Sequence, residues 1–115
     1  MEELKILQKI YDMILYAEQS CLNQFPKVQK FVMAASIRAQ MHSLLELCIT
    51  ANKKYFKKTT MQDMDVALDI LRHYIRLAKD LGYLPFKKYE NWSKLLDEIG
   101  RMLGGWMKSL NGSKS

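Results

Sequence analysis

Arg72, Arg76 and Lys79 stand at i, i+4 and i+7, a spacing that sets all three cations on one face of a helix. Such a row can hold phosphates or an acidic protein patch. Arginine suits phosphate because its planar fork donates two hydrogen bonds at once. The same residues suit a solvated face with local ion pairs, because Asp69 and Asp80 lie three or four residues away. A second basic cluster, Lys53, Lys54, Lys57 and Lys58, brackets Tyr55 and Phe56. Lysines interleaved with aromatic rings can grip a single strand by charge and stacking. The rings can equally close the end of a core while the lysines keep a loop hydrated. Arg101 lies between Gly100 and Gly104, with Lys94 and Lys108 one face-repeat away on either side. It can pair with Asp97 or Glu98, or line an assembly surface.

Catalytic patterns are missing. His42 and His73 have no ligand-spaced partner, and a metal site needs three or four ligands. Asp63, Asp65 and Asp69 suit the solvated, positive end of a helix. Cys21 and Cys48 lack CxxC spacing and read as buried free thiols of a reducing compartment. No nucleophile–base pair, phosphate-cradling glycine loop or carboxylate pair is visible, so the chain reads as a non-enzyme without cofactor. The acidic start, Met-Glu-Glu-Leu-Lys, is no secretion signal, and no run is apolar enough to span a membrane. A cytoplasmic location follows as the expectation.

The elements that must position these cations are helices. Of 115 residues, 49% are hydrophobic, and breakers are few at Gly 5 and Pro 2, so long helices with short links are expected. Leu4, Leu7, Tyr11, Ile14, Ala17 and Cys21 predict a buried stripe on a first helix over residues 2–22. Pro26 breaks the chain. Phe31, Ala34, Ile37, Met41, Leu44, Leu45, Cys48 and Ala51 mark a second helix over 27–54. Thr59 and Thr60 resemble a capping box for a third, over 60–81, with Met64, Ala67, Leu71, Tyr74, Ala78 and Leu81 inward and Gly82 as its C-cap. Pro85 opens a fourth over 86–110, with Tyr89, Trp92, Leu96, Ile99, Leu103, Trp106 and Leu110 inward, before a polar tail, 111–115. Met13, Met33, Met61 and Met107 fall off these stripes and are candidates for a surface where subunits meet. The expected fold is all-α: one domain over residues 1–115, an antiparallel up-down-up-down four-helix bundle.

Gly100, Gly104 and Gly105 lie inside the fourth helix, beside Trp106. Each interior glycine costs a helix about 1 kcal/mol relative to alanine. Close approach of another backbone, from the same chain or a second subunit, is the usual compensation. Formal net charge is +6, from 18 Lys+Arg against 12 Asp+Glu, which favours polyanionic partners.

An ordered series of blocks carries a resemblance over nearly the whole chain. The blocks are Phe25-Pro26-Lys27, Leu44-Leu45-Glu46-Leu47 with Ala51-Asn52, residues 71–81 (LRHYIRLAKDL) and residues 98–106 (EIGRMLGGW). The series resembles the four-helix-bundle family of Avd, the accessory variability protein of diversity-generating retroelements. That superfamily also holds proteins encoded by intervening sequences of ribosomal RNA genes. The resemblance implies a non-catalytic homo-oligomer, a pentameric barrel with a basic surface. Its implied partners are a reverse transcriptase and nucleic acid, RNA first and DNA as a second candidate. Arg72 and Arg76 match the family's arginine pair. An intervening-sequence-type protein with the same fold, and a basic scaffold for acidic protein, stand as alternatives.

Overall fold

Four helices, α1 (Glu2–Tyr16), α2 (Met33–Lys53), α3 (Lys58–Asp80) and α4 (Phe86–Gly112), make up the bundle in a computed structural model that describes residues 2–112. The chain packs α1 against α2 and α4, and α3 against the same two. The helices therefore follow chain order around a square, and neighbours run antiparallel. This is the up-down-up-down, all-α architecture, drawn out to 50 × 22 × 19 Å. A single buried cluster runs its length, with Trp92, Ile10, Met41, Leu71 and Leu96 among its fully enclosed side chains.

The inward face of α1 differs from the expected one. Ile6, Ile10 and Met13 are buried, whereas Leu4 and Tyr11 are exposed and Leu7 and Ile14 half-buried. This helix carries two apolar rows of helical period, and periodicity alone does not rank them. The rows converge at Ala17 and Cys21, both buried. There the chain widens into a π turn over Ala17–Cys21, closed by the Leu22 N–H on the Ala17 carbonyl. Leu22, just after the widened turn, is buried, and Tyr16, just before it, is half-buried. Arg38 of α2 donates to both carboxylate oxygens of Glu18, at 3.0 and 2.7 Å, and ties this turn to the second helix.

Phe25 is extended (φ −65°, ψ 149°) ahead of Pro26, as proline demands. The second helix starts later than residue 27. A short 3-10 turn, Val28–Phe31, comes first, and Val32 (φ −114°, ψ −84°) departs from helical geometry before Met33. That offset swings Phe31 out of the buried stripe, and it is 80% exposed. From Ala34 onward the expected stripe is buried, with Leu45 only half enclosed.

Helix α3 begins two residues before Thr60, so no threonine capping box forms. Thr60 is buried in the first turn, and Met61 N–H bonds to the Lys57 carbonyl at 2.9 Å. Leu68 and Ile75 join the core, while Leu81 stays half exposed. Gly82 has φ +80°. Tyr83 N–H reaches Ala78 O and Gly82 N–H reaches Lys79 O, at 2.8 and 3.0 Å, the paired bonds of a Schellman C-cap. Met13 and Met61 are core residues, and Met33 and Met107 pack against the core's edge. None of the four forms an outlying methionine surface. Helix α4 continues through Asn111 and Gly112, so only 113–115 of the expected tail lie outside the described residues. No helix among the described residues is long and apolar enough to cross a membrane.

Candidate nucleic-acid interface

Arg72 and Arg76 project from α3 toward α4 and line a shallow groove of about 300 Å³ with His73, Tyr89, Ser93 and the carboxylates of Asp69 and Asp97. Arg72 Nη2 stands 3.7 Å from Asp97 Oδ1, and Arg76 Nε 3.9 Å from Asp80 Oδ2. Both pairs are long and open to water, with the Arg76 side chain 70% exposed. Pairs of this kind are worth from nothing to about 1 kcal/mol. A phosphate can therefore displace either carboxylate at small cost. Lys79 is more committed: its ammonium lies 3.2 Å from Asp80 Oδ1 and 4.6 Å from the centre of the Tyr89 ring. Three cations thus face three carboxylates, Asp69, Asp80 and Asp97, and the strip has no local charge excess. The local ion pairs of the second reading form, and the guanidiniums remain accessible to solvent.

Gly100 explains how Arg72 gets there. A methyl group at position 100 would run into Arg72 Nη2, with Leu68 Cδ2 next at 3.4 Å. The missing side chain lets the guanidinium lie across α4. Gly104 and Gly105 meet nothing within 4 Å, so within the chain only Gly100 is closely approached, and by side chains, not by the expected backbone. Trp106 is 5% exposed and belongs to the core.

Uncompensated charge gathers elsewhere. Glu98 pairs with Lys9 of α1 at 2.9 Å, and Asp97 faces Arg72. Arg101 is left without a carboxylate among the described residues. It shares the outer face of α4 with Lys94 and Lys108, all exposed. At that end of the bundle, the α2–α3 loop holds the lysine cluster. Lys57 turns inward: its ammonium donates to Ala51 O and Lys54 O, both at 2.7 Å, and lies 5.9 Å from the Trp106 ring centre. Lys53, Lys54 and Lys58 stay exposed, with no partner among the described residues. Tyr55 and Phe56 do not close the core; they are 88% and 85% exposed.

The two basic regions are separate. Lys58 and Arg72 share one side of α3 about 21 Å apart at 1.5 Å per residue, and the exposed Asp65 stands seven residues from each. Tyr89, Ser93 and Asp97 were not among the expected site residues, although their spacing of four along α4 is the sequence signal for one polar row facing α3. Cys21 and Cys48 are free and buried. Burial pushes both thiols up to about 11, which disfavours the reactive thiolate. Among the described residues, no three His, Cys, Asp or Glu side chains converge as a metal site would require.

Compared with known proteins, residues 4–110 match the family model described as bAvd-like. No curated protein matches the chain.

Proposed function

The chain belongs to the bAvd-like family, and on that premise we propose that it is a non-catalytic, nucleic-acid-binding accessory protein. In this reading it associates, in the cytoplasm, with the reverse transcriptase of a diversity-generating retroelement and supports mutagenic cDNA synthesis. The observation that carries the reading is the accessible arginine pair at the α3–α4 groove, Arg72 and Arg76, held only by long, hydrated ion pairs. Exposed Arg101, Lys53, Lys54 and Lys58 add positive potential that is not cancelled locally. RNA, and DNA secondarily, would meet these cations through phosphate.

The working form in this proposal is a homo-oligomer, a pentamer as the family resemblance implies. Two exposed apolar rows support it: Leu4, Tyr11 and Leu15 on α1, and Val66, Leu77 and Leu81 on α3. Helices α1 and α3 are diagonal in the bundle, so the rows lie on different faces of the molecule. A head-to-tail contact between unlike faces closes a ring when the rotation allows it. Gly104 and Gly105 offer flat, open ground for a second backbone.

Co-expression with the element's reverse transcriptase, followed by affinity capture and light scattering, tests the proposal. Co-purification of polymerase and RNA with an oligomer of this chain supports it. A monomer that retains neither at low salt rules it out.

A further inference from the structure

The loop between α2 and α3 presents the two most exposed large apolar side chains of the described residues, Tyr55 and Phe56. Their rings stand edge to face, centroids 4.8 Å apart and planes at 86°, so their outer faces look into solvent. The loop that carries them is anchored. Lys57 closes it from beneath with two 2.7 Å hydrogen bonds to the Ala51 and Lys54 carbonyls, above the Trp106 ring. The rings are therefore displayed on a fixed support, which lowers the ordering cost of binding. Lys53, Lys54 and Lys58 surround them, and the sequence from Leu47 to Gln62 contains no acidic residue.

We propose that this loop is a binding site for unpaired bases of single-stranded nucleic acid. The bases stack on Tyr55 and Phe56 while Lys53, Lys54 and Lys58 take the flanking phosphates. The site makes the protein favour single strands over duplex. The inference rests on the nucleic-acid reading above and adds to it a ligand class and a location distinct from the arginine groove. Stacking requires an open π-face on the base. A duplex hides those faces between neighbouring pairs and offers the loop phosphates alone, so the rings contribute only to the single strand. Symmetric self-contact through the loop is disfavoured, because a second copy would bring its own lysines against these.

The experiment measures equilibrium binding of oligo(dT) and of a mixed-sequence duplex of equal length. It compares the full-length protein with a Tyr55→Ser, Phe56→Ser variant and a Lys53→Gln, Lys54→Gln, Lys58→Gln variant. The substituted rings are solvent-exposed, so helicity and oligomer mass should match the parent. The ring variant should lose at least about ten-fold in oligo(dT) affinity and change little toward duplex. The lysine variant should weaken on both ligands and flatten the salt dependence. Ultraviolet cross-linking of oligo(dT) to the parent should label the peptide holding Tyr55 and Phe56. Equal losses on both ligands, or no loss on the single strand, would overturn the stacking site and leave the nucleic-acid reading standing. A parent that binds neither ligand at low salt would overturn both. A ring variant with reduced oligomer mass or lost polymerase capture, but unchanged oligo(dT) binding, would make the loop a protein contact and overturn the proposal.

Discussion

The guanidinium of Arg72 occupies the space that a side chain at Gly100 would fill. Helix α4 gives up helix propensity at that position, and α3 gains a route for a cation to cross it and meet Asp97. The clashing atom is the tip of a flexible side chain, so Gly100→Ala should spare the backbone. Alanine favours a helix interior by about 1 kcal/mol over glycine. The thermal midpoint should stay level or rise, while RNA affinity shifts in the direction of Arg72→Ala as the guanidinium is displaced. An unfolding free energy lower by more than about 1 kcal/mol would show that the helix spacing gives way instead.

Lys57 illustrates how a basic cluster divides its labour. Its ammonium serves two carbonyls at the end of α2, and hydrogen bonds to charged groups contribute roughly 1.5–3 kcal/mol. Lys57→Met should lower stability by about 1–2 kcal/mol in denaturant unfolding. Lys58→Met, at an exposed neighbour, should stay within about 0.5 kcal/mol of the parent. Equal effects would deny the clamp.

The inward face of α1 is open to a direct comparison. Ile10→Ala removes a fully enclosed side chain and should cost about 2–5 kcal/mol. Tyr11→Ala, one residue along and half exposed, should cost less than about 1 kcal/mol in the dilute, unassembled chain. The reverse ranking would restore the other apolar row as the core.

Burial raises the Cys21 and Cys48 thiols from 9.0 to about 11. The folded chain therefore holds the two thiol protons more tightly than the unfolded chain. Their stabilising effect is complete below pH 9 and is lost as pH rises from 9 to 11. Unfolding free energy should fall across that window, and serine at both positions should flatten the fall. Alkylation at neutral pH should be slow until the protein unfolds.

The bundle was largely legible because α2 and α4 each carry one dominant apolar row, and Gly82 and Pro85 punctuate the α3–α4 turn as their backbone preferences demand. The inward face of α1 is ambiguous in the sequence because Leu4, Leu7, Tyr11 and Ile14 form as regular a row as Ile6, Ile10 and Met13. Only packing against α2 and α4 selects between them. Phe31 continues the inward row in the sequence, and no residue type announces the break at Val32 that turns it outward. At the site, the helical spacing of Arg72 and Arg76 was readable, but their carboxylate partners lie partly on α4, at Asp97. Pairing across helices is a tertiary fact. The same holds for Lys57, which nothing in the sequence distinguishes from Lys53, Lys54 and Lys58.

The most direct measurement is RNA affinity as a function of salt for the parent and for Arg72→Ala, Arg76→Ala, with polymerase capture measured on the same preparations. Each phosphate contact on a single strand adds about 0.7 to the slope of log affinity against log salt. If both arginines grip phosphate, the double variant should bind more weakly and lose roughly 1–1.5 from that slope while keeping its helicity. Unchanged affinity, slope and polymerase capture would contradict the account.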